Sequence, residues 1–315
     1  MTPPAVRLPN FFLAGVPKAG TTSLYFYLRQ HPQVFMSRIK EPTFFGAADL
    51  LAEPYRDRIL EGLARDRGAL QAYLAGPQTP PSWRFVLQWD DYVRLFKNVR
   101  DESAIGEAST GYFWLPSAAA AIRARVPDAR VAVVLRDPGE RLFSLYLVTS
   151  WRDPRVTFRS WFETAGSTPH LAAATVGAGR YATHLARFFD VFPRDRLRVY
   201  LYEDYRADAR ALLRDFFAFL NVDPGHPVDF SRRLNETAVP RFPRLHALRQ
   251  RLFGRASPTR WLPERARRAI QGLYRRPRVD VVMDPADRAM VIEHYRDEIE
   301  RTADLIERDL SAWLH

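Results

Sequence analysis

The 315-residue chain contains no cysteine, and lysine occurs at only three positions, Lys18, Lys40 and Lys97. Without cysteine the sequence excludes a disulfide framework, a thiolate metal site and a cysteine nucleophile, and it favours a reducing, cytoplasmic location. No run of about 18 apolar residues is present, and the first residues lack the apolar segment of a signal peptide. We therefore expect no membrane-spanning helix.

Positive charge exceeds negative charge, with 47 Lys and Arg against 36 Asp and Glu, a net charge of +11. The pI near 10.2 favours acidic ligands such as nucleotides, anionic glycans or lipid headgroups, so peripheral contact with an anionic surface stays open. A compositional preference for arginine explains the same excess. No nucleic-acid-binding motif is found and the basic residues are dispersed, so nucleic acid is not a predicted partner.

The length fits one large α/β domain covering residues 1–315, and no repeat or low-complexity linker divides it. Residues 46–100 read as a variable insertion with a helix at 89–96. Residues 243–315 read as a basic helical region that ends in a helix from 285 to about 313. Oligomeric state is not predicted.

Residues 10–24 (Asn-Phe-Phe-Leu-Ala-Gly-Val-Pro-Lys-Ala-Gly-Thr-Thr-Ser-Leu) organise the rest of the sequence. They predict a buried strand at 11–16, a tight turn at 17–20 and a helix that begins at Thr21 or Thr22. A helix that follows such a turn directs unpaired backbone N–H groups and the positive end of its dipole outward. The stretch therefore predicts an anion-binding site.

Gly15 and Gly20 have the separation found in the nucleotide-triphosphate loop Gly-x-x-x-x-Gly-Lys-Ser/Thr. Thr21 occupies the position of the lysine, however, and the lysine lies inside the loop as Lys18. No clear acidic metal partner follows, because the strand predicted at 131–135 is followed first by Arg136. The pattern predicts that side chains, and not a metal ion, neutralise the bound anion.

The stretch resembles the 5′-phosphosulfate loop of sulfotransferases that use 3′-phosphoadenylyl sulfate (PAPS). A second stretch, Arg136-Asp-Pro-Gly-Glu-Arg-Leu-Phe-Ser144, resembles their 3′-phosphate motif Arg-x-Pro-x-x-Arg-x-x-Ser. The resemblance implies a central parallel sheet flanked by helices, a P-loop-like PAPS sulfotransferase fold, with PAPS as co-substrate and no metal. The nucleotide-binding residues that it implies are Pro17, Lys18, Ala19, Gly20, Thr21, Thr22, Ser23, Arg136 and Ser144.

The segment Lys40-Glu41-Pro42-Thr43-Phe44-Phe45 resembles the part of glycan-modifying sulfotransferases where a Glu two residues before a Phe-Phe pair acts as the base. A carboxylate within hydrogen-bond reach can accept the proton of an attacking hydroxyl. The resemblance thus implies that Glu41 is the general base and that Lys18 stabilises the departing adenosine 3′,5′-bisphosphate (PAP). Lys40, Phe44, Phe45, Glu107 and Tyr112 are the predicted acceptor-side residues.

Glu107 stands where heparan-type relatives place Lys-Ser, which argues against a polyanionic acceptor; pairing with an arginine is the other interpretation. Tyr181 and His184 share a helix face and His31 ends a helix, so packing is predicted for all three. A later run, Asn235 to Phe242, resembles a segment of bacterial relatives and makes Arg241 a candidate nucleotide contact.

The sequence therefore predicts sulfuryl transfer from PAPS to a hydroxyl or amine, on a carbohydrate, glycolipid or small metabolite. Two alternatives stay open. A P-loop kinase would require magnesium and ATP, and a non-catalytic protein would bind PAP or polyanions without turnover. The acceptor is not specified.

Overall fold

A computed structural model describes residues 6–76, 85–149, 155–231, 238–240, 275–277 and 281–315. Its centre is a five-stranded parallel sheet with the strand order β2-β3-β1-β4-β5. The strands are β1 (Phe11–Leu13), β2 (Val34–Met36), β3 (Ala104–Ala108), β4 (Arg130–Leu135) and β5 (Leu197–Leu201). The predicted parallel α/β fold is confirmed.

The inner strands β1 and β4 are apolar apart from Arg130 at the start of β4, because both faces of the sheet are covered. Phe11, Phe12 and Leu13 of β1 are at most 1% exposed, and residues 131–135 of β4 are equally buried. The order places β1 between β3 and β4. After β1 the chain forms β2 and β3 on one side of it and then crosses over to form β4 and β5 on the other side. Ligands of open α/β sheets bind at such a switch point, beyond the carboxyl ends of the strands.

Helices cover the sheet. In the first half of the chain they are α1 (Thr21–Leu28), α2 (Ala47–Leu50), α3 (Arg56–Ala75), α4 (Trp89–Arg94), α5 (Gly111–Trp114) and α6 (Ala118–Arg125). In the second half they are α7 (Pro138–Thr149), α8 (Phe158–Ser167), α9 (Pro169–Ala172), α10 (Tyr181–Val191), α11 (Tyr202–Ala207), α12 (Ala209–Phe219) and α13 (Pro285–Ile306). A separate antiparallel pair joins β6 (Ala238–Pro240) to β7 (Arg275–Pro277). Among the described residues, no helix is both long enough and apolar enough to cross a bilayer.

Several predicted elements differ from the structure: the strand predicted at 11–16 is assigned at Phe11–Leu13, and the helix predicted at 89–96 ends at Arg94. The insertion at 46–100 contains the 20-residue helix α3, which the sequence interpretation did not assign. The last helix ends at Ile306, short of residue 313, because Glu307 adopts a left-handed conformation with φ 55°. A left-handed residue interrupts the α-helical hydrogen bonding, and a short 3₁₀ turn, Ser311–Leu314, follows.

Candidate functional site

The turn between β1 and α1 has the geometry of an anion-binding loop. Lys18 and Gly20 both have positive φ, 73° and 83°, and the eight-residue helix α1 begins directly after them. No side chain caps its N-terminus, and no acidic residue lies in its first turn. Its first amides and dipole are therefore oriented for an external anion, as the sequence predicted.

Arg136 joins the two predicted phosphate motifs. It follows β4, and its guanidinium donates one hydrogen bond to the Lys18 carbonyl oxygen (2.8 Å) and another to Glu140 (3.0 Å). The guanidinium also lies over the ring of Tyr202, 4.6 Å from its centroid. Arginine has five N–H donors in a planar fork, so these contacts orient the group and leave further donor capacity.

Asp137, the next residue, holds the same loop in place through its side chain and its backbone. Its carboxylate accepts the Glu140 backbone N–H at 2.9 Å and a bidentate pair of 2.6 Å hydrogen bonds from Arg288 of α13. Its own backbone N–H donates to Glu203 at 3.2 Å. Burial raises the pKa of Glu203, and the nearby Asp137 carboxylate raises it further. The start of α7 is thus held by groups from three parts of the chain.

Ser144 and Arg141 lie inside the fold on α7. Ser144 is 1% exposed and Arg141 is fully buried, with its Nη2 donating to the Thr175 carbonyl at 2.7 Å. Beside them, the Tyr181 hydroxyl donates to the Arg136 carbonyl at 2.7 Å. Tyr181 therefore packs beneath the second motif and supports its backbone, in agreement with the structural role predicted for it.

Glu41 lies beside the end of β3. One carboxylate oxygen accepts hydrogen bonds from the Thr110 backbone N–H (2.7 Å) and hydroxyl (3.0 Å), and the other forms an ion pair with Lys40. Glu41 and Thr43 have left-handed backbone conformations, φ 67° and 53°, and both are non-glycine residues. Such strain concentrates at functional sites because the surrounding structure has to maintain it.

Backbone hydrogen bonds connect Glu41 laterally to the phosphate loop. The Glu41 N–H donates to Ala108 on β3, Ser109 donates to Leu13 on β1, and Val16 donates to Val134 on β4. The loops that carry Glu41, Lys18 and Arg136 follow β2, β1 and β4, so they lie at the same edge of the sheet, with β3 between the first two strands. Their convergence on one catalytic site stays a prediction.

The aromatic residues after Glu41 have different exposures. Phe44 is half-buried and stacks on Tyr92 at 4.6 Å, whereas Phe45 is 4% exposed and packs edge-on against Phe12. The Phe45 backbone N–H donates to the hydroxyl of Tyr112, which is fully buried. Of this group, Phe44 and Lys40 are the side chains that retain surface on the acceptor side.

Glu107 is fully buried in the sheet, on β3, and its carboxyl oxygens have no partner in ordinary hydrogen-bond geometry among the residues that the structure describes, arginines included. The hydroxyls of Tyr112, Tyr92 and Ser109 lie near its carboxyl and lower its pKa, but neither oxygen has a partner in ordinary hydrogen-bond geometry. Burial dominates and raises the pKa of Glu107 to about 8. At neutral pH the group is mainly protonated, and its position supports a structural role and neither acceptor contact nor ion pairing.

The site also contains residues that sequence reasoning missed. Thr110, Tyr202 and Glu203 lie at the carboxyl ends of β3 and β5, and the rule that ligands bind at that edge could have identified them. Arg288 carried no signal, since only the fold brings it to Asp137. Arg241 lies outside the described residues, as does most of the arginine-rich segment 244–278.

An uncapped helix after a glycine turn at the switch point of a parallel sheet defines a P-loop-like nucleotide-binding fold. A sulfotransferase family model matches residues 9–225, and the chain belongs to the sulfotransferase family. It is similar to a solved sulfotransferase from Alicyclobacillus acidocaldarius, with 26% identity, a TM-score of 0.68 and coverage of 98% of this chain and 100% of the other.

Curated relatives support the same family. The chain is 28% identical to carbohydrate sulfotransferase 15 of Rattus norvegicus over an alignment of 268 residues, and the match covers 69% of this chain and 44% of that protein. It is 25% identical to the bifunctional heparan sulfate N-deacetylase/N-sulfotransferase 3 of Homo sapiens over 226 residues, covering 69% of this chain and 23% of the relative. The chain thus spans less than half the length of these relatives.

Proposed function

We propose that this protein transfers a sulfuryl group from PAPS to a hydroxyl or amine of a carbohydrate acceptor, with glycolipids and small metabolites as the other acceptor classes. The observation that supports the proposal is the hydrogen-bonded connection at one edge of the sheet, where the loops of Glu41, Lys18 and Arg136 follow β2, β1 and β4. The names of the curated relatives support a carbohydrate.

The chemistry needs a base on one side of the sulfur and a cation on the other. Glu41 accepts the proton of the acceptor as the new bond to sulfur forms. Lys18 stabilises the negative charge on the bridging oxygen as the bond from sulfur to that oxygen breaks and PAP leaves. An ammonium group suits this role because it is a compact and mobile donor.

The nucleotide would lie across the switch point. The backbone amides at the start of α1, with residues 17–23, hold the 5′-phosphate. Arg136 and Ser144 hold the 3′-phosphate, which distinguishes PAPS from ATP. Arg241 remains a proposed contact. Lys18, Arg136 and the helix dipole supply the positive charge, so the proposal requires no metal ion.

The first test is titration calorimetry with PAP and, separately, with ATP and magnesium. We expect PAP to bind without metal and to lose about tenfold or more in affinity in Lys18→Ala, since a charge-assisted hydrogen bond contributes about 1.5–3 kcal/mol. Lys97→Ala is the matched control, because Lys97 donates to the Leu74 carbonyl away from the site. Binding of magnesium-ATP in place of PAP would instead identify a kinase.

The second test separates an enzyme from a binding protein. PAPS is incubated with a panel of oligosaccharide acceptors, and PAP release and sulfated product are measured together. Glu41→Gln should keep the PAP affinity and lose about 10²–10⁴-fold in turnover, the usual contribution of a general base. Equal product formation by Glu41→Gln and the wild type would show that Glu41 is not the base. If no acceptor is sulfated while PAP binds tightly, the non-catalytic alternative is favoured.

A further inference from the structure

A cavity of about 770 Å³ lies among the helices that cover the sheet. Lys18, Glu41 and Arg136 are not part of its wall, which α5, α8, α10 and α13 form together with residues 49–55. The volume lies in the range of small-molecule binding pockets, about 300–1,000 Å³. The proposed transfer reaction assigns no role to this cavity.

The segment that carries Glu41 and the segment that holds its carboxylate both continue into the cavity wall. Thr110 holds the Glu41 carboxylate, and the four-residue helix α5 leads from it directly to Trp114, a wall residue. Four helical residues rise by about 6 Å. On the other side, α2 leads from Phe44–Gly46 to Asp49, which also lines the cavity. The cavity wall is therefore joined to the surroundings of Glu41 through two four-residue helices, α2 and α5.

The wall combines an aromatic surface with polar groups. The rings of Tyr55 and Trp114 lie 5.8 Å apart and are tilted by 52°, and both line the cavity. Arg180, His184 and Arg187 come from one face of α10 and its N-terminus. An apolar wall with a few convergent polar groups is typical of a ligand site.

Two of these polar side chains have unused hydrogen-bonding capacity. His184 is buried, with 7% of its surface exposed, and its Nε2 contacts the Gly177 carbonyl oxygen at 2.9 Å. Because a carbonyl only accepts, Nε2 donates and Nδ1 is an acceptor without a partner. Nη1 of Arg187 is a buried donor without a partner. Buried groups of this kind are rare in native proteins. Both atoms lie behind the cavity surface, and it is the other atoms of the two side chains that line the cavity.

The charges of the wall are mixed. Arg180 and Arg187 are balanced by Asp49, Glu53 and Glu163. Asp49 already accepts hydrogen bonds from the Ser117 backbone N–H and hydroxyl at 2.9 and 2.7 Å. Carboxylates at the wall disfavour a polyanion. Hydroxyl groups suit such a wall because each can donate to a carboxylate and accept from a guanidinium.

We infer that this cavity is a subsite for an uncharged sugar residue of the acceptor, which packs its C–H face on Trp114 and hydrogen-bonds to Arg187. This inference rests on the proposed transfer to a carbohydrate. The sulfated residue would lie at Glu41, and the neighbouring residue of the same oligosaccharide would occupy the cavity. The subsite contributes acceptor affinity and makes no contact with the nucleotide.

The test measures acceptor binding apart from catalysis. Maltotetraose, cellotetraose and chitotetraose are titrated into the PAP-bound full chain by calorimetry, with an unsulfated heparosan tetrasaccharide as the anionic comparison. We expect at least one neutral tetrasaccharide to bind more tightly than the anionic one. Its affinity should fall about tenfold or more in both Trp114→Ala and Arg187→Gln.

The controls distinguish this inference from the proposed function. Arg214→Gln, an exposed arginine on α12, should leave sugar binding unchanged, and PAP affinity should be the same in every variant. Arg187→Gln keeps the inference testable if Trp114→Ala fails to fold. The subsite is refuted if no neutral tetrasaccharide binds, if the anionic one is preferred, or if Arg187→Gln binds sugar like the wild type. PAP binding with loss of turnover in Glu41→Gln would still support the transfer reaction.

Discussion

Arg288 donates two 2.6 Å hydrogen bonds to the two carboxylate oxygens of Asp137, which lies 151 residues earlier in the chain. Arg288 also donates to the backbone carbonyls of Trp313 and His315. The pair fastens the C-terminal helix, and the turn that follows it, to the loop that presents Arg136. The last helix is therefore part of the support of the proposed nucleotide site.

Removal of this pair should destabilise the protein. The Asp137 side chain is 8% exposed and that of Arg288 is 20% exposed, so Arg288→Ala leaves a nearly buried carboxylate without its partner. We expect a loss of about 2–4 kcal/mol in the free energy of unfolding, measured by urea denaturation. Arg296→Ala on the same helix removes an exposed ion pair with Glu293 and should cost about 0–1 kcal/mol. Equal losses in the two variants would contradict this account.

Gly20 should not tolerate a side chain. Its φ is 83°, and a Cβ at this position would lie 3.1 Å from the ring of Tyr202. Gly20→Ala is expected to cost about 1–3 kcal/mol of stability through backbone strain and to weaken PAP binding, because the amides of α1 would shift.

The matched control is Gly68→Ala in the middle of α3, where nothing lies within 4 Å of the added Cβ. That variant should be stabilised by up to about 1 kcal/mol. Thermal unfolding and calorimetry measure both effects, and a destabilised Gly68→Ala would argue against the comparison.

The sheet and the phosphate loop could be predicted from the sequence because their signals are local. The apolar run of β4 indicates burial on both faces, and the spacing of Gly15 and Gly20 specifies the turn. A Cβ at Gly15 would lie 2.8 Å from Thr21 and 2.9 Å from Val134, so this close approach requires glycine, and the glycine is visible in the sequence. The carboxyl-edge rule then brings Arg136 to the same place.

The surroundings of Glu107 and Arg288 could not be predicted, since both depend on packing between distant segments. Glu107 was a predicted acceptor-side residue because it stands where heparan-type relatives place Lys-Ser, yet its side chain is buried near Tyr92 of α4 and Tyr112 of α5. Side chains alternate between the two faces of a sheet, but this alternation did not predict the burial of Glu107, because helices cover both faces. Helix α3 was also missed, in the variable insertion at residues 46–100.

The protonation of Glu107 gives a pH-dependent contribution to stability. Burial raises the pKa of Glu107 from 4.5 to about 8, so between these values the folded state binds a proton that the unfolded state has released. Stability from this group is therefore present below pH 4.5 and is lost as the pH rises through about 8, by up to about 5 kcal/mol. Glu107→Gln should remove this loss and gain stability relative to the wild type as the pH rises.

The measurement is the melting temperature of both proteins from pH 5 to pH 9. The difference between Glu107→Gln and the wild type should increase with pH, whereas Glu300→Gln, an exposed position on α13, should give a flat difference. A Glu107→Gln difference that stays constant across this range would show that the carboxyl is ionised in the folded protein. Sulfuryl transfer by Glu107→Gln should continue, because the buried group does not contact the acceptor.

His184 should affect stability in the opposite direction and at lower pH. Burial lowers the pKa of His184 from 6.5 to about 4, so between these values the unfolded state binds the proton and the folded state does not. Stability from the neutral ring is present above pH 6.5 and is lost as the pH falls towards 4, by up to about 3 kcal/mol. His184→Gln can retain a donor to the Gly177 carbonyl but cannot bind this proton, so its melting temperature should fall less than that of the wild type between pH 6.5 and 4. His315→Gln, at the exposed C-terminus, should follow the wild type.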